Sequence, residues 1–462
     1  MQKPSSSYLI LSFALGFVSM LCVALKIETV HLLEGWHWQF HTQELAPLAI
    51  VIFGAVFCAA NVWLYSQKRS FGQACALLFM LALGSQWSFS WSNGSGTTQM
   101  RHHAIASGHS EFVITASRGF NGSEVLERYE DFVLLPTQQF SPSKPPGQLL
   151  AYIAMDKLSR MIMPEAPHFE EPIAQVLDPP HRQLIELLTI LLPIVAAFTV
   201  VPFFALCRQL RLNRPWVPPI LFLVSAPFSL IVMHFDQALY PLLSCSMWWC
   251  VAKGVERPNM FWAALAGTIA GVGIFISFSL LPAIILCIPV ALAAPKPQTV
   301  QWMRSIVLFL LGGSVFYLYL WADYGYNPIE RYQNAMLHHA AWKGWVNEGW
   351  LLWLSIKLNV IELLWWISPP AGLLLLHSWL SRKATTNSIP FGILFTLVLL
   401  LFLGKTIGEV ARLWLFLMPL LWIQVHIHIE DLPPRTRHKT QGFLLVFMFF
   451  WTTIFKWQQD FW

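Results

Sequence analysis

Four short segments carry residues whose types and spacing could do chemistry. In His109-Ser110-Glu111-Phe112-Val113-Ile114-Thr115-Ala116-Ser117-Arg118 a carboxylate stands beside an otherwise apolar, helix-compatible run, and could take a proton there. Farther on, Ser143-Lys144-Pro145-Pro146-Gly147 sets a lysine before two prolines. Proline is favoured at the first positions of a helix, and a helix N-terminus beside a lysine suits a phosphate. The same residues could also make a plain rigid turn. His234-Phe235-Asp236-Gln237, followed by Tyr240-Pro241, places an aspartate between two apolar runs. Such a charge is costly at a membrane boundary unless solvated or paired. The fourth segment runs from Gly404-Lys405-Thr406-Ile407-Gly408-Glu409 through Val410-Ala411-Arg412-Leu413-Trp414 to Pro419. On a helix, Lys405, Glu409 and Arg412 would share a face. An arginine there could fork onto a lipid phosphate, or simply pair with Glu409 at the interface.

The elements that position these segments follow from composition. Of 462 residues, 56% are hydrophobic and 11% charged, against ~25% charged for a soluble domain. Apolar runs near the ~20 residues needed to cross a bilayer recur along the chain. The reading is an all-α polytopic membrane protein of about thirteen transmembrane helices, with eleven to fourteen as the range. The runs are 7–26, 46–66, 71–91, 186–206, 216–233, 238–252, 259–275, 280–294, 305–322, 350–372, 389–404, 413–428 and 441–457. Residues 350–380 are interrupted by Pro369 and Pro370 and read as one span or two. The first run reads as a retained anchor, because no small-residue cleavage site follows it cleanly. One membrane domain, 1–462, accounts for the chain. Within it, 1–70 is an N-terminal extra helix pair, 92–185 a large outer loop and 323–349 a second outer loop. Gly147 to Met163 should form an amphipathic surface helix, with Leu149, Leu150, Tyr152, Ile153, Leu158, Met161 and Ile162 near a helical period.

Charge sets the orientation. With the N-terminus inside, the inner loops hold 15 lysines and arginines and the short outer segments seven, so loop 92–185 faces out. Most acidic residues then lie at the outer face, where the chemistry is expected. The net charge of +5 is small and the basic residues are scattered, which argues against nucleic acid as a partner. The seven cysteines show neither a disulfide framework nor a zinc-ligand spacing.

These segments occur in a telling order: an outer-loop acidic residue, Lys144-Pro145-Pro146 at a surface helix, Asp236 between the next spans, and Gly408-Glu409-x-x-Arg412-x-Trp414 near the end. In that order the chain resembles the membrane-embedded GT-C glycosyltransferases, which include protein O-mannosyltransferases and bacterial lipid A aminoarabinose transferases. It looks closest to their bacterial relatives. Gly325-Tyr326-Asn327-Pro328 through Ala335, His338 and His339 is similar to the second outer loop of those relatives. The resemblance covers residues 71–430. Glu111 departs from the Asp-Asp-Glu or Asp-Glu pattern common there.

The resemblance implies a GT-C-like fold and a polyprenyl-phosphate-linked sugar as donor. It implies a glycan, lipid or protein hydroxyl as acceptor, and inverting transfer in a bacterial inner membrane with the site facing the periplasm or exterior. Glu111 would be the base, and Asp236 would position the acceptor or share that role. Lys144 and Arg412 would hold the phosphate, while His109, Gln237, His338, His339 and Glu409 would contact substrate. No cofactor is implied, and a divalent metal is left open. A transporter, lipid-linked glycan flippase or polymerase is the competing reading. Lys357, Asn359 and Glu362, ionisable or polar within one span, are its best support.

Overall fold

The computed structural model of the chain describes residues 7–27, 42, 44, 46–66, 69–92, 96–98, 100–101, 104, 110–135, 140–167, 169, 178–231, 234–256, 260–295, 299–342, 351–380, 388–403 and 406–458. Among them the structure is all helix, without strands. The chain opens with α1 (Ser7–Ala24), α2 (Leu48–Ser66) and α3 (Phe71–Trp91). A capping box starts α3: Ser70 accepts from the Gln73 amide while the Gln73 side chain accepts from the Ser70 amide. Short helices follow, α4 (Ser110–Ala116), α5 (Gly122–Glu127) and α6 (Tyr129–Val133). Then come a 3-10 turn at Ser141–Ser143 and α7 (Gly147–Ile162).

The middle of the chain is α8 (Pro179–Ala197), α9 (Val200–Gln209), α10 (Val217–Leu223), α11 (Ala226–Ile231), α12 (Phe235–Glu256) and α13 (Met260–Ile276). A 3-10 turn at Phe278–Leu280 leads to α14 (Leu281–Ile285), α15 (Cys287–Ala293), α16 (Thr299–Tyr324) and α17 (Pro328–Trp342). The last part holds α18 (Leu351–Trp366), α19 (Pro369–Leu380), α20 (Ser388–Leu403), the one-turn α21 (Val410–Leu413), α22 (Met418–Glu430) and α23 (Pro434–Gln458).

Each of the thirteen apolar runs falls on helical structure. Among the described residues, four helices are long and apolar enough to cross a membrane: Leu48–Ser66, Phe71–Trp91, Pro179–Gln209 and Trp302–Tyr324. A fifth is added if α18 and α19 count as one broken span. These two are bent by 111°, so the run of doubtful span count is two helices. The break has a local cause. Ser368 sits at φ +78°, and Pro369 and Pro370 have no amide hydrogen to continue the ladder.

Of the N-terminal helix pair, α1 packs against α19 and α23, and α2 against α3. The expected surface helix is α7, packed on α4, α5, α8 and α13. Its buried face is Leu149, Tyr152, Ile153, Met155 and also Gln148 and Asp156, whereas Leu158, Met161 and Ile162 are exposed. Asp156 Oδ2 pairs with Arg160 at 2.8 Å, and its Oδ1 is buried without a hydrogen-bond partner among the described residues. Gly147 fixes where α7 begins. A β-carbon there would collide with the Phe275 carbonyl, so the helix start lies directly on the end of α13.

Candidate functional site

Lys144 leaves a loop that is fastened from three sides. From α4, Glu111 accepts from the Phe140 amide (2.6 Å), the Ser141 amide (3.0 Å) and the Ser141 hydroxyl (2.6 Å). From α6, the Tyr129 hydroxyl donates to the Ser141 and Lys144 carbonyls at 3.4 and 3.3 Å. Burial holds the Tyr129 phenol well above its ordinary pKa, so it stays a donor. From α17, the fully buried Arg331 donates to the Pro142 carbonyl and pairs with Glu130 at 3.2 Å. Asn334 donates to the same carboxylate at 2.8 Å. Pro145 and Pro146 then turn the chain into α7.

The lysine ammonium meets Asp236 Oδ2 at 3.3 Å. Asp236, on the first turn of α12, is 1% exposed. Its Oδ2 also accepts from the Tyr240 hydroxyl at 2.8 Å, and its Oδ1 from the Gln237 amide at 3.0 Å. Tyr240 in turn lies 2.8 Å from the Ser277 hydroxyl. The aspartate is therefore a buried counter-ion behind Lys144. Gln237 is equally buried, and its side-chain amide has no hydrogen-bond partner among the described residues.

The fourth segment is not a continuous helix. Gly408 stands at φ +68°, a conformation glycine adopts without strain, and α21 starts only at Val410. Glu409 and Arg412 still pair, at 2.8 Å. A polar stripe on α18 holds this loop by its backbone. Ser355 and Asn359 donate to the Thr406 carbonyl at 2.7 and 2.6 Å. Asn359 accepts from the Gly408 amide at 3.2 Å, and Glu362 from the Val410 amide at 2.9 Å. Asn359 and Glu362 are thus tied to the loop, and Lys357 is exposed. The signal was present as three polar residues at one-face spacing in an apolar helix; their partner was not.

Lys144 and Arg412 border one cavity of about 430 Å³. Glu409 and His339 also line it, with Phe140, Phe278 and Tyr332 as aromatic walls. The Phe278 and Tyr332 rings meet edge to face at 5.2 Å. Leu281, Pro282, Leu400 and Leu403 add apolar lining. Leu403, at the end of α20, is 48% exposed. Glu111, Asp236, Gln237 and His338 are not among the lining residues, and His338 is exposed. His109 and Lys405 lie outside the described residues. Trp414 and Phe416 line the cavity as well; Trp414 stands in the fourth segment, whereas Phe140, Phe278 and Tyr332 carry no signal in the sequence, being three among many aromatic residues of an apolar chain.

Chemically, the cavity offers two cations, each backed by a carboxylate. A phosphate entering would take charge-assisted hydrogen bonds from both and compete with the resident partners. The apolar lining would accept a hydrocarbon continuation of the same molecule. Among the described residues, no cluster of three metal-ligating side chains occurs. The chain matches no family model and no curated protein.

Proposed function

We propose that this chain is a polytopic membrane glycosyltransferase of the GT-C kind, with about thirteen membrane-crossing helices. It moves a sugar from a polyprenyl-phosphate donor to an acceptor hydroxyl of a glycan, lipid or protein, with inversion, on the outer face of a bacterial inner membrane. One observation carries the reading. Lys144 and Arg412, far apart in sequence, border a single cavity whose lining also includes apolar side chains. A lipid phosphate needs both.

The acceptor hydroxyl gives its proton to a carboxylate as its oxygen bonds to the anomeric carbon. The bond from that carbon to the phosphate oxygen breaks, and the lipid phosphate leaves with the electron pair. Its added charge is met by Lys144 and Arg412. The geometry favours Glu409 as the base. It borders the cavity, and a phosphate binding Arg412 would release its carboxylate. Glu111 instead serves the loop that presents Lys144. Asp236 keeps Lys144 in place. The aromatic walls and His339 suit a sugar ring.

The test is transfer from defined polyprenyl-phosphate sugars by the full chain in lipid nanodiscs. Arg412→Ala and Lys144→Ala should each lose activity. Glu409→Gln should lower turnover by about 10²–10⁴-fold with donor binding retained. If Glu111→Gln does so and Glu409→Gln does not, the base is Glu111. The 111° break between α18 and α19 favours a transporter or flippase instead. Movement of a lipid-linked sugar across the bilayer without transfer would establish that reading and overturn this one.

A further inference from the structure

The polar stripe of α18 has no place in the transfer chemistry, yet its members are buried and hydrogen-bonded to a loop that lines the cavity. Ser355, Asn359 and Glu362 are 0%, 0% and 6% exposed. Polar side chains buried in an apolar helix are expensive and are kept where they hold something. Here they hold the backbone of a loop, and Asn359 also donates to the Thr406 hydroxyl at 3.2 Å. Successive groups of one loop are taken in order: the Thr406 carbonyl, the Gly408 amide and the Val410 amide. The two charged residues of this stretch that line the cavity, Glu409 and Arg412, lie between and just beyond these anchors. The Val410 amide bound by Glu362 is the first of α21, the single turn that carries Arg412.

We infer that Asn359 and Glu362 are positioning residues, which set the Glu409–Arg412 pair at the cavity by pinning the backbone of Thr406–Val410. The link to phosphate binding rests on the function proposed above; the pinning itself does not. Without the Glu362 acceptor, α21 loses the bond that fixes its start, and Arg412 loses its aim. Gly408 makes the fit close. A β-carbon at this position would lie 3.4 Å from Glu362 Oε1, and the residue holds a positive φ.

Two measurements on the full chain in nanodiscs test this. The first is amide hydrogen exchange. Glu362→Ala and Asn359→Ala should speed exchange in residues 406–413 by about tenfold or more, with residues 140–162 unchanged. Glu362→Gln, which keeps an acceptor oxygen, should stay within about threefold of the parent. Gly408→Ala strains the same loop while leaving the α18 residues unsubstituted, and should raise exchange in the same residues. Unchanged exchange in 406–413 for both alanine variants, or an equal rise along the whole chain, overturns the positioning role. The second is a double-mutant cycle on polyprenyl-phosphate binding. Glu362→Ala should weaken binding about tenfold in the parent but less than about twofold in an Arg412→Ala background. A full loss in both backgrounds overturns the route through Arg412. If the parent transfers no sugar, the proposed function fails while the exchange result still decides the pinning.

Discussion

The two walls of the cavity deliver a cation by similar means and stabilise it by different ones. On one wall Glu111 accepts backbone amides of the loop before Lys144; on the other Glu362 accepts the backbone amide before Arg412. In each case a carboxylate from a neighbouring helix replaces the missing partners of a short turn. The counter-ions differ. Asp236 comes from α12, is 1% exposed and is shared with Tyr240. Glu409 belongs to the same loop as Arg412, and the pair is about one-third exposed. The lysine is therefore set by tertiary packing, whereas the arginine pair is local and screened by solvent. One cation is built to stay still and the other to exchange partners.

The largest effect expected from this contrast is on stability. Asp236→Ala leaves an ammonium that is 17% exposed and the Tyr240 hydroxyl without their acceptor. It should cost about 3 kcal/mol, the lower end for a broken buried pair. Glu409→Ala should cost less than about 1 kcal/mol, as partly exposed pairs do. Thermal unfolding in nanodiscs compares them directly. Equal losses would erase the distinction between the walls.

A smaller effect should appear in ligand binding. Arg412→Lys replaces a two-pronged donor by a point charge, and should weaken binding of a polyprenyl phosphate about tenfold or more. Lys144→Arg adds donors but must fit a fastened site, and should change affinity less than Arg412→Lys does. Titration of the lipid phosphate measures both. A reversed order would make Lys144 the main anchor.

The smallest effect lies beside the lysine wall, on α7. Burial raises the Asp156 carboxyl above its ordinary value of 3.8, while Arg160 pulls it down. A carboxyl raised in the folded state supports folding below its unfolded pKa, and that support is lost as pH climbs through the folded pKa. Stability of the parent relative to Asp156→Asn should thus fall as pH rises from just below 3.8 through the raised value, then level off. Unfolding midpoints of the two proteins across that window give the sign. A gap that widens in the parent's favour would mean that the Arg160 pair outweighs burial.

Much of the frame was legible from residue types alone. Long apolar runs can satisfy their backbone in an apolar setting only as helices, so all thirteen runs became helical. The double proline marked the break at Ser368, and Lys144-Pro145-Pro146-Gly147 marked the start of α7. Residue types also placed Lys144 and Arg412 among the candidates for an anion, because basic groups at the ends of apolar helices need a reason. Span count was less legible. Several of the helices are short or bent, and length and composition qualify only four or five.

Which groups face one another was decided by the tertiary structure. Glu111 and Asp236 look alike in sequence as acids near apolar runs. Folding gave the first to a loop and the second to a lysine. Asn359 and Glu362 looked like a polar path through a span, and packing turned them onto the backbone of a loop some fifty positions away. Local sequence sets what a residue can donate or accept and which helix face it rides on. The choice of partner comes from chain segments brought together across the bundle, and burial makes that choice strict. A polar group shut away from water must take a partner within reach, and only the assembled fold says which one is there.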